Sequence, residues 1–235
     1  MLNRSFTLLL ASAALVILGC AVPSPSPSGQ APGDAAPKAF SESPAVTATV
    51  PVAVKDAVEF RLIPDGNEAR YRVREQLAAL ALPTDAVGST KKVSGSIWMT
   101  ANGAVVPGQP PISIDLQSLK SDDSRRDNFL RRSVLRTDRF PTVTFVAKEA
   151  RGLTDPLHTT GTLTFELLGD LTIRGVTRPA TWQVTAQFNS AVVKGTATTS
   201  FTFGEFQIDK PRTFLVLTLE DTIRLEIDFQ ASRAL

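Results

Sequence analysis

From about Val54 onward, apolar residues recur at every second position, as expected of antiparallel strands with one buried face. The alternation runs through residues 70–76, 112–117, 143–148, 162–167, 181–188, 196–203 and 222–229. These runs are rich in threonine, valine and phenylalanine, which favour strands. Strands do not alternate with helical patterns, so a parallel sheet is not indicated. The pattern predicts an all-β domain, either a barrel or a sandwich.

Turn signals separate the runs. Residues 64–67 (Pro-Asp-Gly-Asn), 102–103 (Asn-Gly), 169–170 (Gly-Asp) and 220–221 (Glu-Asp) predict connections between strands. Residues 174–177, which begin with Arg174-Gly175, predict a tight turn, since Gly175 relaxes the backbone.

Residues 121–135 lack the period of two. Ser121 or Asp122 would cap a helix, and Leu130 and Val134 fall on one helical face. We expect a short amphipathic helix between two strands. Residues 76–82 are ambiguous, because they fit either an extension of a strand or a helical turn.

The first 55 residues have a different character. Residues 1–20 contain Arg4, an apolar run from Phe6 to Leu18, and Cys20, which is the only cysteine. The run is short for a membrane span and suits a secretory signal, and its end resembles a bacterial lipobox with Cys20 as the lipidated residue. Residues 21–55 are rich in proline, serine and alanine and predict a disordered linker. The folded domain is expected over residues 56–235.

Charge and composition narrow the function classes. The 25 basic and 23 acidic residues nearly balance, so no electrostatic footprint for nucleic acid is visible. One cysteine and one histidine cannot supply a typical zinc site. No Gly-x-Ser-x-Gly elbow, phosphate loop or dinucleotide fingerprint is present. We therefore expect no metal, no cofactor and no catalytic residues.

Three stretches resemble the YceI-like family of exported lipid-binding proteins. The first joins residues 118–121 and 126–130 to the Phe140-Pro141 region, where the family has Ser-Leu, Arg-Asp and Tyr/Phe-Pro. The second is residues 161–179, in which Arg174 stands where the family commonly has histidine. The third comprises residues 201–206 and the closing strand, residues 221–229.

The resemblance implies an extended eight-stranded antiparallel lipocalin-like β-barrel with a short helix in one connection. It also implies an elongated apolar interior that binds polyisoprenoid chains, such as quinone tails or prenyl carriers. Around residues 71–75 and in the segment that follows, this chain departs from the family, so the shape of one barrel mouth is left open. The oligomeric state is not predicted.

Alternation and resemblance together suggest a set of candidate site residues. The predicted apolar lining comprises Trp98 (or Ile97), Ile114, Val143, Phe145, Leu163, Phe165, Trp182, Val184, Phe201, Leu225 and Ile227. Each of them could equally belong to a packed core. Arg125, Arg126 and Arg174 are candidates for a lipid headgroup site, because guanidinium groups bind phosphate oxygens in pairs. The alternative is a solvated face with local ion pairs.

Three hypotheses follow for the whole protein. The first is a lipid-binding protein tethered through Cys20 to the cell membrane or the outer membrane, for transport or storage in the cell envelope. The second is a non-catalytic interaction or structural module with a filled barrel. The third, a hydrolase or isomerase, would need titratable side chains that point inward, whereas Glu166, Glu226 and Asp228 have the outward parity.

Overall fold

The computed structural model describes residues 57–153, 157, 160–212 and 215–234. The expected signal peptide, the linker and Cys20 lie outside these residues. Among the residues described, no helix is both long and apolar enough to cross a bilayer.

Twelve β-strands form one antiparallel sheet. They are β1 (Val58–Leu62), β2 (Glu68–Leu77), β3 (Thr84–Thr90), β4 (Val93–Ser94), β5 (Ser96–Met99), β6 (Ile112–Asp115), β7 (Lys120–Ser121), β8 (Thr142–Arg151), β9 (Gly161–Ile173), β10 (Val176–Asn189), β11 (Val192–Thr202) and β12 (Val216–Ala234). One α-helix, α1 (Ser124–Phe129), runs into a π-helical turn (Leu130–Val134), and a 3-10 turn (Gly204–Phe206) follows β11.

Several of these strands are pieces of longer, interrupted ones. The short bend at residues 63–67 divides β1 from β2, and both pieces pair with β12. Similarly, β3, β4 and β5 form one broken strand, and β6 and β7 form another, because their registers continue across the breaks. Counted in this way, the sheet has the eight strands that the sequence predicted.

The strand pairings form a closed circuit. The broken strand β1–β2 pairs with β3–β5, the pairings continue through β6–β7 to β8, and β12 returns to β1 and β2. This confirms the predicted antiparallel barrel and excludes the sandwich. All the strand partners in the described part of the chain lie within residues 58–234.

Two ends of the barrel are distinguished below. The helix end carries α1, the turn at residues 174–175 and the loop at residues 78–83. The termini end carries Val58, Ala234 and the β10–β11 turn at residues 190–191. Because neighbouring strands are antiparallel, these groups of connections lie at opposite ends.

Two of the predicted connections are wrong, and a third, at residues 64–67, connects two pieces of one interrupted strand. Gly169 and Asp170 lie inside β9, where a Cβ at Gly169 would stand 2.7 Å from the Phe145 ring. Glycine is therefore needed for close packing at this position and not for a turn. Residues 220–221 form an irregularity within β12, between Leu219 and Ile223, that resembles a β-bulge. Residues 64–67 bend one strand and do not join two neighbours, because β1 and β2 share the partner β12.

The predicted helix is present, but its first residues differ. Asp123 is the N-cap, and its side chain accepts hydrogen bonds from the backbone N–H groups of Arg125 and Arg126. Ser121 and Asp122, the predicted caps, precede it. Val134 is buried and Leu130 packs against the core, as the helical spacing predicted. Residues 76–82 continue β2 only as far as Leu77 and then form a turn and loop.

Candidate functional site

An apolar cavity lies inside the barrel, in the half nearer the termini end. Its wall is formed by Phe60, Leu62, Ile97, Met99, Ile112, Ile114, Phe145, Leu153, Phe165, Leu167, Trp182, Val184, Ala186, Phe188, Val193, Ala197, Ile227, Phe229 and Ala231. Period-two alternation explains this composition, because every second residue of each strand faces inward. The cavity is an interior surface shared by nearly every strand.

The chemistry of the cavity wall is uniform. Every lining residue that the structure describes is apolar, so the wall offers dispersion contacts and excludes water-soluble ligands. The cavity volume is about 120 Å³. A water-sized group needs about 10–15 Å³ of such space, so the cavity accommodates roughly ten methylene-sized groups, or about two isoprene units. A longer chain would have to extend beyond the cavity.

Aromatic rings give the wall its rigid parts. Phe145 and Trp182 meet edge to face with their centroids 5.9 Å apart, and Phe60 and Phe188 do so at 6.3 Å. Trp182 is 2% exposed. Its Nε1 is buried and has no hydrogen-bond partner among the described residues. Trp182 therefore brings one unsatisfied donor into an otherwise apolar region.

Six of the predicted lining residues are on the cavity wall: Ile114, Phe145, Phe165, Trp182, Val184 and Ile227. Trp98 is not. It pairs with Glu59 on the opposite face of β5, whereas its neighbours Ile97 and Met99 face the cavity. A strand of only four residues contains too few positions to show which parity faces inward.

Four further predicted residues lie away from this cavity. Val143 and Phe201 are buried in the core, and Phe201 packs edge to face on Phe206 with centroids 4.6 Å apart. Leu163 and Leu225 are half-buried and pack against the core. Their inward parity is consistent with the prediction, but none of the four is among the residues that line the cavity.

Several cavity residues were not in the predicted set. Ala186 and Phe188 continue the alternation of Trp182 and Val184, so that signal was available in the sequence. Phe60, Leu62 and Leu153 gave no such signal, because β1 is short and Leu153 follows a strand. Only the closed circuit of strands brings these three to the cavity.

The three candidate headgroup arginines lie at the helix end. Arg126 forms an ion pair with the buried Glu75, with Nη2 to Oε1 at 3.1 Å, and a second with Asp122. The side chain of Arg125 is 89% exposed. Arg174 forms the turn between β9 and β10, and its Nε is buried without a hydrogen-bond partner in the described part of the chain. None of the three is among the residues that line the cavity. Their headgroup role stays a prediction, to which this placement gives no support.

The side chain of Tyr71 lies near the Arg126–Glu75 ion pair. The Tyr71 hydroxyl is buried and has no partner among the residues described. Burial raises the pKa of Tyr71 to about 12, while the nearby Arg126 charge opposes the shift. Asp127, 9% exposed, accepts hydrogen bonds from the N–H and the hydroxyl of Ser121. These contacts anchor α1 to β2 and β7, which is a structural role.

Residues 60–231 match the family model described as "YceI-like domain". The match covers most of the chain, so the protein belongs to the YceI-like family, as the sequence resemblance predicted. A comparison with curated protein sequences finds no significant match.

Solved structures of low sequence identity share the fold. A polyisoprenoid binding domain from Saccharophagus degradans, implicated in plant cell wall breakdown, aligns with a TM-score of 0.54 and 11% identity over 74% of this chain and 98% of that one. Burkholderia cenocepacia BcnA aligns with a TM-score of 0.54 and 16% identity over 72% and 99%. A mutant YCEI protein from Campylobacter jejuni with a monobromobimane guest aligns with a TM-score of 0.52 and 18% identity over 68% and 91%. At these identities the likeness shows the fold alone.

Proposed function

We propose that this protein binds a polyisoprenoid or similar long-chain lipid, such as a quinone or prenyl carrier, in its barrel and catalyses no reaction. The observation that carries the proposal is the apolar cavity of about 120 Å³ inside a YceI-like domain. A structural neighbour with the same fold is a polyisoprenoid binding domain, which supports the assignment. Each methylene moved from water into the cavity contributes about 0.8 kcal/mol.

The ligand is proposed to insert one end of its chain. The cavity has room for about two isoprene units. The rest of a longer lipid would therefore extend beyond the wall residues nearest the termini end.

The proposed setting is the cell envelope. Cys20 would carry the lipid anchor, and residues 21–55 would tether the barrel to the cell membrane or the outer membrane, where it would transport or store its ligand. Replacing Cys20 by serine in the full chain tests this part. Wild-type protein is expected in the membrane fraction with added lipid mass. If the variant kept the added lipid mass and the membrane recovery of wild type, the proposed anchor would be refuted.

A filled-barrel interaction module is the second candidate. The observation that favours it is the packed cluster near the helix end, where Phe201, Phe203 and Phe206 are all buried. Such a module would bind a partner through its outer surface and leave the small cavity empty. The two candidates differ in one measurable property, which is stoichiometric lipid inside the purified domain.

Native mass spectrometry of residues 48–235, purified without detergent, tests the lipid-binding proposal. We expect a bound prenyl or quinone species that is released on denaturation. Ala186→Leu fills part of the cavity, because Ala186 lines it and is 1% exposed. Thr185→Leu, the adjacent outward-facing position, is the matched control. An empty wild-type domain that also refuses added isoprenoids, or equal lipid content in both variants, would contradict the proposal.

A further inference from the structure

Four exposed leucines form an apolar patch at the helix end of the barrel. Leu80 and Leu82 lie between β2 and β3 and are 48% and 76% exposed, and Leu215 and Leu217 at the start of β12 are 53% and 64% exposed. We call these four residues the leucine patch. None of the four belongs to the hydrophobic core of the described residues. A contiguous exposed apolar patch marks an interaction site more often than a single exposed leucine does.

Hydrogen bonds hold the two halves of the patch together. The Ala78 N–H donates to the Leu215 carbonyl oxygen at 2.9 Å, and Val216 pairs with Leu77 in the sheet. The Leu80 N–H donates to the Leu77 carbonyl oxygen at 3.1 Å, and the Gln76 amide donates to the Leu80 carbonyl oxygen at 2.5 Å. The leucines are therefore presented on an ordered loop and a strand end.

Charged residues flank the leucine patch in sequence but do not belong to it. Residues 76–84 and 215–219 contain no charged side chain. Asp209, Lys210 and Arg212 precede the β12 part of the patch, and Glu220 and Asp221 follow it; all five are exposed. On the other side, the Arg126–Glu75 ion pair fixes α1 beside the end of β2, two residues before Leu77. This helix brings Phe129, which is 37% exposed, and the exposed Arg125 to the same end.

The balance of charge in the segment that carries α1 is positive. Residues 120–139 contain seven basic and four acidic side chains. Three of the acids are engaged by the protein itself, since Asp122 pairs with Arg126, Asp123 caps α1 and Asp127 accepts hydrogen bonds from Ser121. Arg132 and Arg136 have no ion-pair partner among the described residues. Apolar side chains flanked by cations match the interface of an anionic bilayer.

We infer that the helix end of this barrel docks on an anionic lipid surface, with the leucine patch entering the interface. A second copy of the chain is a poorer occupant, because a symmetric contact at the helix end would bring the positively charged α1 segments of both copies to one interface. The inference concerns the outer surface and does not depend on what the cavity holds. It adds a direct contact between the folded domain and a membrane, in addition to any anchor at Cys20.

Vesicle flotation of residues 48–235, which lack Cys20, tests the inference. We expect the wild-type domain to float with phosphatidylcholine vesicles that contain phosphatidylglycerol, and to float less without the anionic lipid or at high salt. The variant Leu82→Asp/Leu217→Asp is expected to lose roughly tenfold or more of the bound fraction, because each leucine loses its burial in the interface. Val146→Asp on β8, where Val146 is 37% exposed, is the matched control and should float like wild type.

Circular dichroism and thermal unfolding establish that each variant is folded, since all the substituted side chains are exposed. A wild-type domain that stays with the soluble fraction would overturn the inference. So would equal flotation of the leucine variant and wild type. Light scattering that shows a dimer of the wild type and a monomer of the leucine variant would assign the patch to self-association. Because the native mass spectrometry of the purified domain uses no vesicles, its outcome is independent of this one.

Discussion

Tyr71 illustrates what burial does to a single side chain. It is the only tyrosine in the chain, and burial raises its pKa to about 12 from the ordinary value of 10.0. Between these two pH values the unfolded chain gives up the tyrosine proton while the folded barrel keeps it. The unfolded state then binds fewer protons, so stability falls as the pH rises.

We expect the Tyr71 contribution to lower the free energy of unfolding by about 1.4 kcal/mol per pH unit between roughly pH 10 and 12, and to have no effect below that range. Urea denaturation followed across this range measures it, and near-ultraviolet absorbance reports ionisation of this single tyrosine without ambiguity. Tyr71→Phe is the control that removes the contribution. Since the hydroxyl lacks a partner in the described structure, the phenylalanine variant should be as stable as wild type at neutral pH. Identical alkaline profiles of the two proteins would contradict the prediction.

Arg126 and Arg125 are adjacent in sequence but have opposite environments. Arg126→Ala would leave the carboxylate of Glu75, which is 5% exposed, buried without its partner. We expect a loss of about 3 kcal/mol, the lower end of the range for broken buried pairs, because the Arg126 side chain is 21% exposed. Arg125→Ala, at an 89% exposed side chain, should change stability by less than about 0.5 kcal/mol. Chemical denaturation measures both.

A double variant separates the ion pair from packing by the arginine stem. With Glu75→Gln already present, Arg126→Ala should be less destabilising, because no buried charge is left uncompensated. Equal losses in the two backgrounds would mean that Arg126 acts through packing alone.

At the scale of elements, the β9–β10 hairpin uses an unusual turn residue. Arg174 and Gly175 connect Ile173 to Val176, and their φ angles are +52° and +76°. Positive φ at both central positions is the type I′ arrangement that Asn-Gly favours. Arginine at the first position is strained by roughly 1–2 kcal/mol, because its Cβ crowds the backbone.

We expect Arg174→Asn to raise the free energy of unfolding by about 1 kcal/mol, since asparagine tolerates this backbone conformation better. Thermal unfolding of the domain measures the change. A drop in stability would show that the arginine side chain makes contacts worth more than the strain. If lipid content also fell, Arg174 would regain support as a headgroup residue.

Interruptions of the strands are a second property of the elements. Between β1 and β2, the side chain of Asn67, 2% exposed, donates to the Ile63 carbonyl oxygen and accepts from the Gln230 N–H at 2.8 Å. One buried amide thus satisfies backbone groups that the bend removes from the sheet. Both pieces of the interrupted strand, β1 before the bend and β2 after it, therefore keep β12 as their partner.

For the whole molecule, closure depends on pairing the first strand with the last. Residues 59–62 pair with residues 231–234, at nearly the full length of the domain in sequence. Removing residues 231–235 should open the barrel at the termini end and cost about 2–4 kcal/mol, from lost hydrogen bonds and the exposure of Phe60. Calorimetry and the binding of an apolar fluorescent dye measure the effect. An unchanged unfolding temperature would mean that β5 alone holds β1 in place.

Particular elements show where sequence reasoning succeeded and where it did not. Parts of the long strands β9, β10 and β12 were predicted, because six to eight residues of each repeat the same alternation. Trp98 was placed on the wrong face because β5 has only four residues. Gly169-Asp170 was interpreted as a turn because glycine signals both turns and close packing, and only the position of Phe145 distinguishes the two.

The sequence alone determined that the domain is an antiparallel β-barrel of the YceI-like type, because period-two alternation and family motifs are local properties of the chain. It also determined which parity of each long strand faces inward. Only the tertiary structure decided which inward-facing residues border the apolar cavity, since volume depends on residues far apart in sequence. The leucine patch was likewise invisible beforehand, because exposure is decided by which neighbours a folded chain places beside each leucine.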